Sequence, residues 1–184
     1  MGEPIYIPRY TVEEFEGFDG QWELWRGSLV AMTPPPTWDH SEAASRLGAH
    51  LQRQLDDQGC RCRVVYEAGY RPEDDTVFSP DVMVVCERPD GRYVTQPPPL
   101  IVEFLSDATA GRDRLHKRQM YADAGVPHYL LVDPRRPAKG PRWTLLRLDG
   151  EAYVDAAVNA SAEIEPRDGC RLRLDPAAVF DENR

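Results

Sequence analysis

Three short stretches are almost wholly apolar: Asp81-Val-Met-Val-Val-Cys86, Leu100-Ile-Val-Glu-Phe-Leu105 and His128-Tyr-Leu-Leu-Val132. Runs of this length, rich in β-branched residues and lacking the polar alternation of a half-exposed strand, are strands covered on both faces. A chain that carries them must also supply helices to cover a central sheet. Asp39, followed three residues later by Glu42, forms a capping signal, and Ala44, Leu47, Leu51 and Leu55 recur at three- and four-residue steps up to Gly59. A second helix is predicted from about Arg112 to Ala124, stopping at Gly125 with Pro127 just beyond. The pattern predicts a sheet with helices packed on its faces, of α/β or α+β class.

The remaining segments add smaller elements. Thr11 opens a short helix through Phe15, and Trp22 to Trp25 and Ser28 to Met32 read as strands around the turn Arg26-Gly27. Cys62 to Tyr66 reads as a strand and Asp74-Asp75 as a turn. A hairpin is expected from Trp143 to Leu148, through Asp149-Gly150, to Glu151 to Val154, as an interface or as cover for the sheet edge. Cys170 to Leu174 suits a final strand and Pro176 to Phe180 a helical turn. With 184 residues, 41% of them hydrophobic, and no repeat, one compact domain is expected.

Composition excludes several classes. Mean hydropathy of −0.56 and the absence of a run of about 20 apolar residues leave no membrane span. A net charge of −9 argues against coating nucleic acid by bulk charge, though a local basic groove stays open. Met1-Gly-Glu-Pro-Ile-Tyr has no basic region followed by an apolar stretch, so a cytoplasmic protein is expected. Cys60 and Cys62 share one face of a strand, and Cys86 and Cys170 stand alone. Their spacing matches no zinc ribbon, and reduced packing residues are expected.

The chemistry points to two carboxylates. Asp81 opens one apolar strand directly after Pro80, and Glu103 lies inside another. An ionised carboxylate in such a run costs several kcal/mol unless paired or metal-bound. Either acid alone fits a buried ion pair or a satisfied hydrogen bond; two from neighbouring strands suit a hard cation such as Mg²⁺. Downstream, Arg112-Asp-Arg-Leu-His-Lys-Arg118 locally reverses the global charge. Lys117 shares a helical face with Tyr121 and Ala124, from which its amine either snorkels to solvent or reaches the carboxylates.

An ordered series of motifs then carries a resemblance: Tyr10-Thr-Val-Glu-Glu-Phe15, Trp22-Glu-Leu, Met32-Thr-Pro-Pro-Pro, His40-Ser, Ser79-Pro-Asp81-Val-Met-Val-Val, Leu100-Ile-Val-Glu103-Phe-Leu-Ser-Asp-Ala-Thr109, Asp113-Arg-Leu-His-Lys117, Tyr121-Ala-Asp-Ala-Gly-Val-Pro-His-Tyr129 and Leu131-Val-Asp-Pro. Over roughly residues 10 to 155 the chain resembles the bacterial restriction endonuclease family of the Uma type. The resemblance implies a restriction-endonuclease-like fold, with a central mixed sheet flanked by helices, and a PD-(D/E)XK nuclease site. Asp81 and Glu103 match its acids. Leu105 stands where the parent motif has lysine; in this family the following helix carries that lysine, here Lys117. Ser28 replaces the acid usual after Gly27, so no role rests on it.

The activity implied by the resemblance is that of a divalent-metal-dependent endonuclease acting on DNA. Asp81 and Glu103, with the Phe104 carbonyl, are expected to hold Mg²⁺ or Mn²⁺, and Lys117 to position water or stabilise phosphate charge. Arg112, Arg114 and Arg118 are candidates for the nucleic-acid backbone. Glu23, His40 and Tyr121 are accessory candidates; Glu23 reads equally as a solvent-facing strand acid, His40 as a surface group and Tyr121 as core filler. Enzymes of this fold often dimerise to cut both strands. Two rival readings remain: a nuclease-fold module that binds nucleic acid or protein without cutting, and a purely structural ion triad of Asp81, Glu103 and Lys117.

Overall fold

The three apolar runs become the middle of a six-stranded sheet. The computed structural model describes residues 8–32, 36–105, 112–135 and 141–180, the side chains of 112–114 excepted. In chain order the elements are α1 (Val12–Phe15), β1 (Trp22–Trp25), β2 (Ser28–Ala31), α2 (Trp38–Asp57), β3 (Arg63–Tyr66), β4 (Tyr70–Glu73), β5 (Thr76–Phe78), β6 (Val82–Val85), β7 (Leu100–Phe104), α3 (Arg112–Asp123), β8 (His128–Val132), β9 (Trp143–Asp149), β10 (Ala152–Val158), β11 (Ala162–Arg167), β12 (Cys170–Leu174) and a 3₁₀ turn (Pro176–Ala178).

The large sheet has the order β10-β9-β8-β7-β6-β3. Only its β7–β8 pair is parallel, because α3 is the crossover that a parallel connection requires. The sheet is therefore mixed, in an α+β architecture. Alternation along its strands sorts the core. Val82, Val84, Leu100, Val102, Leu130 and Val132 pack on the side of α2 with Leu47, Leu51 and Leu55. Met83, Ile101 and Tyr129 pack on the other side with Tyr121, Ala122, Tyr70 and Phe78. The three helix leucines are fully buried, and each contributes about 2 kcal/mol from removal of apolar area from water.

A second sheet, β2-β1-β5-β4, and the separate ribbon β11-β12 flank this core. Glutamine side chains of α2 dock β12 as a neighbouring strand would: Gln54 and Gln58 each accept a backbone N–H and donate to a carbonyl, at Arg173 and Arg171. The strands β4, β5 and β11 are not evident in the sequence. Two of them contain proline, Pro72 in β4 and Pro166 in β11, which suits only edges.

Two expectations need correction. The cap of α2 is Thr37, whose hydroxyl accepts from the His40 N–H at 3.4 Å, and Asp39 lies inside the first turn. The helix starts earlier because the Thr37 hydroxyl takes up that first-turn amide, which leaves the exposed Trp38 as the first helical residue. The cysteines are not reduced packing residues: Cys60 is joined to Cys170 and Cys62 to Cys86. Cys62 and Cys86 lie opposite each other just outside the β3–β6 register, where Arg63 pairs with Val85. Membrane spans are excluded as far as helices go: among the described residues none is long and apolar enough to cross a membrane.

Candidate active site

The β6–β7 register sets Val82 against Val102, which places Asp81 across from Glu103. Asp81 sits where the chain enters the sheet, so its carboxylate reaches over the end of β7. There Oδ2 accepts the Phe104 N–H at 2.7 Å and lies 3.2 Å from His40 Nε2 on the first turn of α2. Glu103 leaves β7 on the same side as Ile101, toward α3.

That helix meets Glu103 with two side chains one turn apart. Lys117 Nζ donates to Glu103 Oε1 at 3.0 Å, and the Tyr121 hydroxyl donates to the same oxygen at 2.8 Å. The ammonium also donates to Glu23 Oε1 at 3.0 Å. Glu23 is only 3% exposed, so it is not the solvent-facing strand acid that the sequence equally allows. Its carboxylate accepts the Ser79 N–H at 2.8 Å and the Trp25 indole N–H at 2.9 Å. Position in the fold explains this: β1 lies beside β5, and the chain leaving β5 runs through Ser79 into Asp81.

Three carboxylates, one ammonium and one imidazole thus share a partly closed corner, and their protonation is set by burial and charge. Burial raises the Glu103 pKa to about 7; Lys117 pulls it down, Asp81 and Glu23 push it up, and the Tyr121 hydrogen bond lowers it. Burial opposes the charge on Lys117, but Glu103 and Glu23 outweigh it and raise its pKa, so the amine stays protonated. Tyr121 is held well above its usual value by burial and by Glu103, and remains a hydrogen-bond donor. Burial would lower His40, yet its hydrogen bond to Asp81, with the charges of Asp81, Glu103 and Glu67, leaves the pKa raised. Its Nδ1 is buried without a hydrogen-bond partner among the described residues.

The donor set fits a hard divalent cation. Oδ2 of Asp81 and Oε1 of Glu103 are used by protein donors, while Asp81 Oδ1 and Glu103 Oε2 carry no hydrogen bond among the described residues. Two carboxylate oxygens left open at one strand end are ligands of the kind Mg²⁺ takes. The Phe104 N–H points toward Asp81, so the Phe104 carbonyl leaves the strand on that same edge.

Other candidates lie elsewhere. Arg118 donates to the Tyr153 carbonyl at 2.7 Å and ties α3 to β10. The side chains of Arg112 and Arg114 lie outside the described residues. Sequence reasoning missed the groups that lock the acids: the Phe104 and Ser79 amides, the Trp25 indole, and the Glu67 charge acting on His40. Backbone donors leave no composition signal, and Glu67 comes after its strand without any motif.

Comparison with known proteins agrees with this architecture. The model of the Uma2 family, described as "Putative restriction endonuclease", matches residues 10–175. A crystal structure described as "a putative nuclease belonging to DUF820", from Anabaena variabilis ATCC 29413, superposes with a TM-score of 0.69. It is 17% identical and the match covers 93% of this chain and 97% of that one, a likeness of fold. No curated protein matches the chain.

Proposed function

We propose, from the premise that this chain belongs to the Uma2 family of restriction endonucleases, that it is a divalent-metal-dependent endonuclease hydrolysing phosphodiester bonds in DNA. The observation that carries the reading is the cross-strand placement of Asp81 and Glu103 with the Lys117 ammonium 3.0 Å from the second acid. Asp81, Glu103 and the Phe104 carbonyl are the groups to hold Mg²⁺ or Mn²⁺. When bound, such an ion supplies a Lewis acid that polarises the phosphate and lowers the pKa of water.

The chain's own residues do the rest. The Phe104 amide fixes the Asp81 carboxylate, and the Tyr121 hydroxyl fixes that of Glu103, so neither reorganises when substrate arrives. Lys117 holds a permanent positive charge beside the acids, placed to stabilise negative charge developing on phosphate or to orient the attacking water. Glu23 keeps that ammonium aimed. His40, charged more readily than an ordinary histidine and 3.2 Å from Asp81, is the group to give a proton to a leaving oxygen.

The test is incubation of supercoiled plasmid with the full chain. Nicking in Mg²⁺ or Mn²⁺ and its loss in chelator are expected; a salt-dependent mobility shift without nicking would leave only a binding module. Gel filtration with and without DNA checks for the homodimer that cutting both strands calls for.

The acid pair also sets a pH dependence. Glu103 titrates near 7 instead of its ordinary 4.5, so the folded state holds this proton more tightly than the unfolded chain. Its contribution to stability is full below 4.5 and is lost as pH rises through about 7. A cation binds the ionised form and offsets that loss. The stabilisation by Mg²⁺ is therefore expected to be larger at pH 8 than at pH 5.5, in thermal melts at fixed ion concentration. Equal shifts at both pH values would remove Glu103 from the ligand set.

A further inference from the structure

All four cysteines converge on one spot, far from the acids. The sulfurs of Cys60, Cys62 and Cys170 lie within 4.8 Å of one another, and the Cys86 sulfur joins that of Cys62. They come from three places in the chain: Cys60 and Cys62, two residues apart in the connection from α2 to β3, Cys86 directly after β6, and Cys170 as the first residue of β12. A four-coordinate metal requires its ligands in one place, and three separated parts of the chain supply them here. Sulfurs bound to zinc at about 2.3 Å in a tetrahedron stand roughly 3.8 Å apart; three of these four lie within 4.8 Å of one another, and Cys86 stands outside that group, against its bonded partner Cys62.

We propose that in the reduced protein these four cysteines form a tetrathiolate site for Zn²⁺, which fastens the β11-β12 ribbon to the main sheet. A zinc tetrathiolate carries a net charge of −2, and a buried one needs positive groups beside it. They are present. Arg63 donates to the carbonyls of Cys60 and Cys62 at 3.1 and 2.8 Å, and Arg167 donates to that of Cys86 at 3.3 Å. Two neutral disulfides make no such demand. The cluster has its own place in the molecule: Asp81 and Cys86 sit at opposite ends of β6, about 16 Å apart by strand rise.

The chemistry balances with a dithiol as reductant. Each of two dithiols passes two electrons and two protons to one disulfide and becomes a disulfide itself, giving four protein thiols. Zn²⁺ then displaces four protons from those thiols. Oxidation by peroxide reverses the change: the two disulfides reform, two peroxide molecules take up the four electrons and four protons from solvent to become four waters, and zinc is released.

The test uses the full chain reduced by a phosphine, loaded with zinc and freed of excess by gel filtration, with metal measured by mass spectrometry. One zinc per chain is expected, released to a chromogenic chelator after peroxide. Asp81→Ala is expected to keep the zinc, and Cys86→Ser to lose at least nine-tenths of it. Because Cys86→Ser can fail to fold, Co²⁺ is added to the reduced unsubstituted chain in parallel; the intense charge-transfer bands of a tetrahedral tetrathiolate are expected. Less than a tenth of an equivalent of zinc, or no such bands, overturns the proposal. So does zinc that depends on Asp81 instead of the cysteines.

Discussion

Asp81→Asn is expected to lower the rate of DNA cleavage by about a thousand-fold, the scale on which removing one pre-placed electrostatic group acts in a catalytic site. Asparagine has the same shape, and its carbonyl oxygen can still accept the Phe104 N–H that Oδ2 takes at 2.7 Å. It lacks only the charge. With that charge gone, a divalent ion has one carboxylate left at the site instead of two, and His40 loses the anion 3.2 Å away that keeps its pKa up. The Asp81 side chain is 20% exposed at the end of a strand, and asparagine fills the same space. Melting should stay within a few degrees of the parent chain, and cleavage in Mg²⁺ should fall with plasmid binding retained. Cleavage within tenfold of the unsubstituted protein would mean that Asp81 holds no metal.

The sequence shows this carboxylate and Glu103 because one opens, and the other interrupts, a run that is otherwise apolar. The same feature makes β6, β7 and β8 visible: a strand covered on both faces has nothing polar to spare, so an acid inside it stands out. Lys117 and Tyr121 are legible by helical spacing, four residues apart on one face. Which ammonium meets which acid is not, because a helix face can be read without knowing what lies across from it. Glu23 shows the limit most plainly. In a short strand between Trp22 and Leu24 it reads equally as a member of the acidic cluster and as a surface group, and what decides is distant in sequence: the Ser79 amide at 2.8 Å and the Lys117 ammonium at 3.0 Å.

Arg118 shows the converse. A cation in a basic segment invites a phosphate, and one nitrogen of its guanidinium also holds the Tyr153 carbonyl, a partner from a hairpin that the sequence describes only as apolar. The cysteines are a register problem of the same kind. Spacing of 60, 62, 86 and 170 along the chain matches no familiar metal motif, and only the antiparallel β3–β6 pairing sets Cys62 against Cys86. Edge strands with proline, β4 and β11, escape pattern reading because their pairing is limited to one side.

Lys117→Met is expected to have the largest effect on stability. The ammonium is the cation between Glu103 and Glu23, at 3.0 Å from each, in a site where both acids are largely withdrawn from water. Removing it leaves two buried carboxylates without their partner, a loss of about 3–5 kcal/mol. In a chain of this size that lowers the melting temperature by roughly 10 °C. Glu103 would then hold its proton to still higher pH, since the charge that lowered its pKa is gone. A second substitution separates structure from catalysis. Glu23→Gln in the Lys117→Met background removes one stranded charge while leaving Asp81 and Glu103 in place, and the glutamine carbonyl can still accept the Ser79 N–H. The double variant should recover about 1–2 kcal/mol, as expected for residues that share one ion pair. Cleavage should nevertheless remain at least a hundred-fold down, because no ammonium stands beside the acids to stabilise the phosphate or orient the water. If activity returned together with stability, Lys117 would be only the counter-ion of a structural triad, and the chemistry would rest on the acids alone.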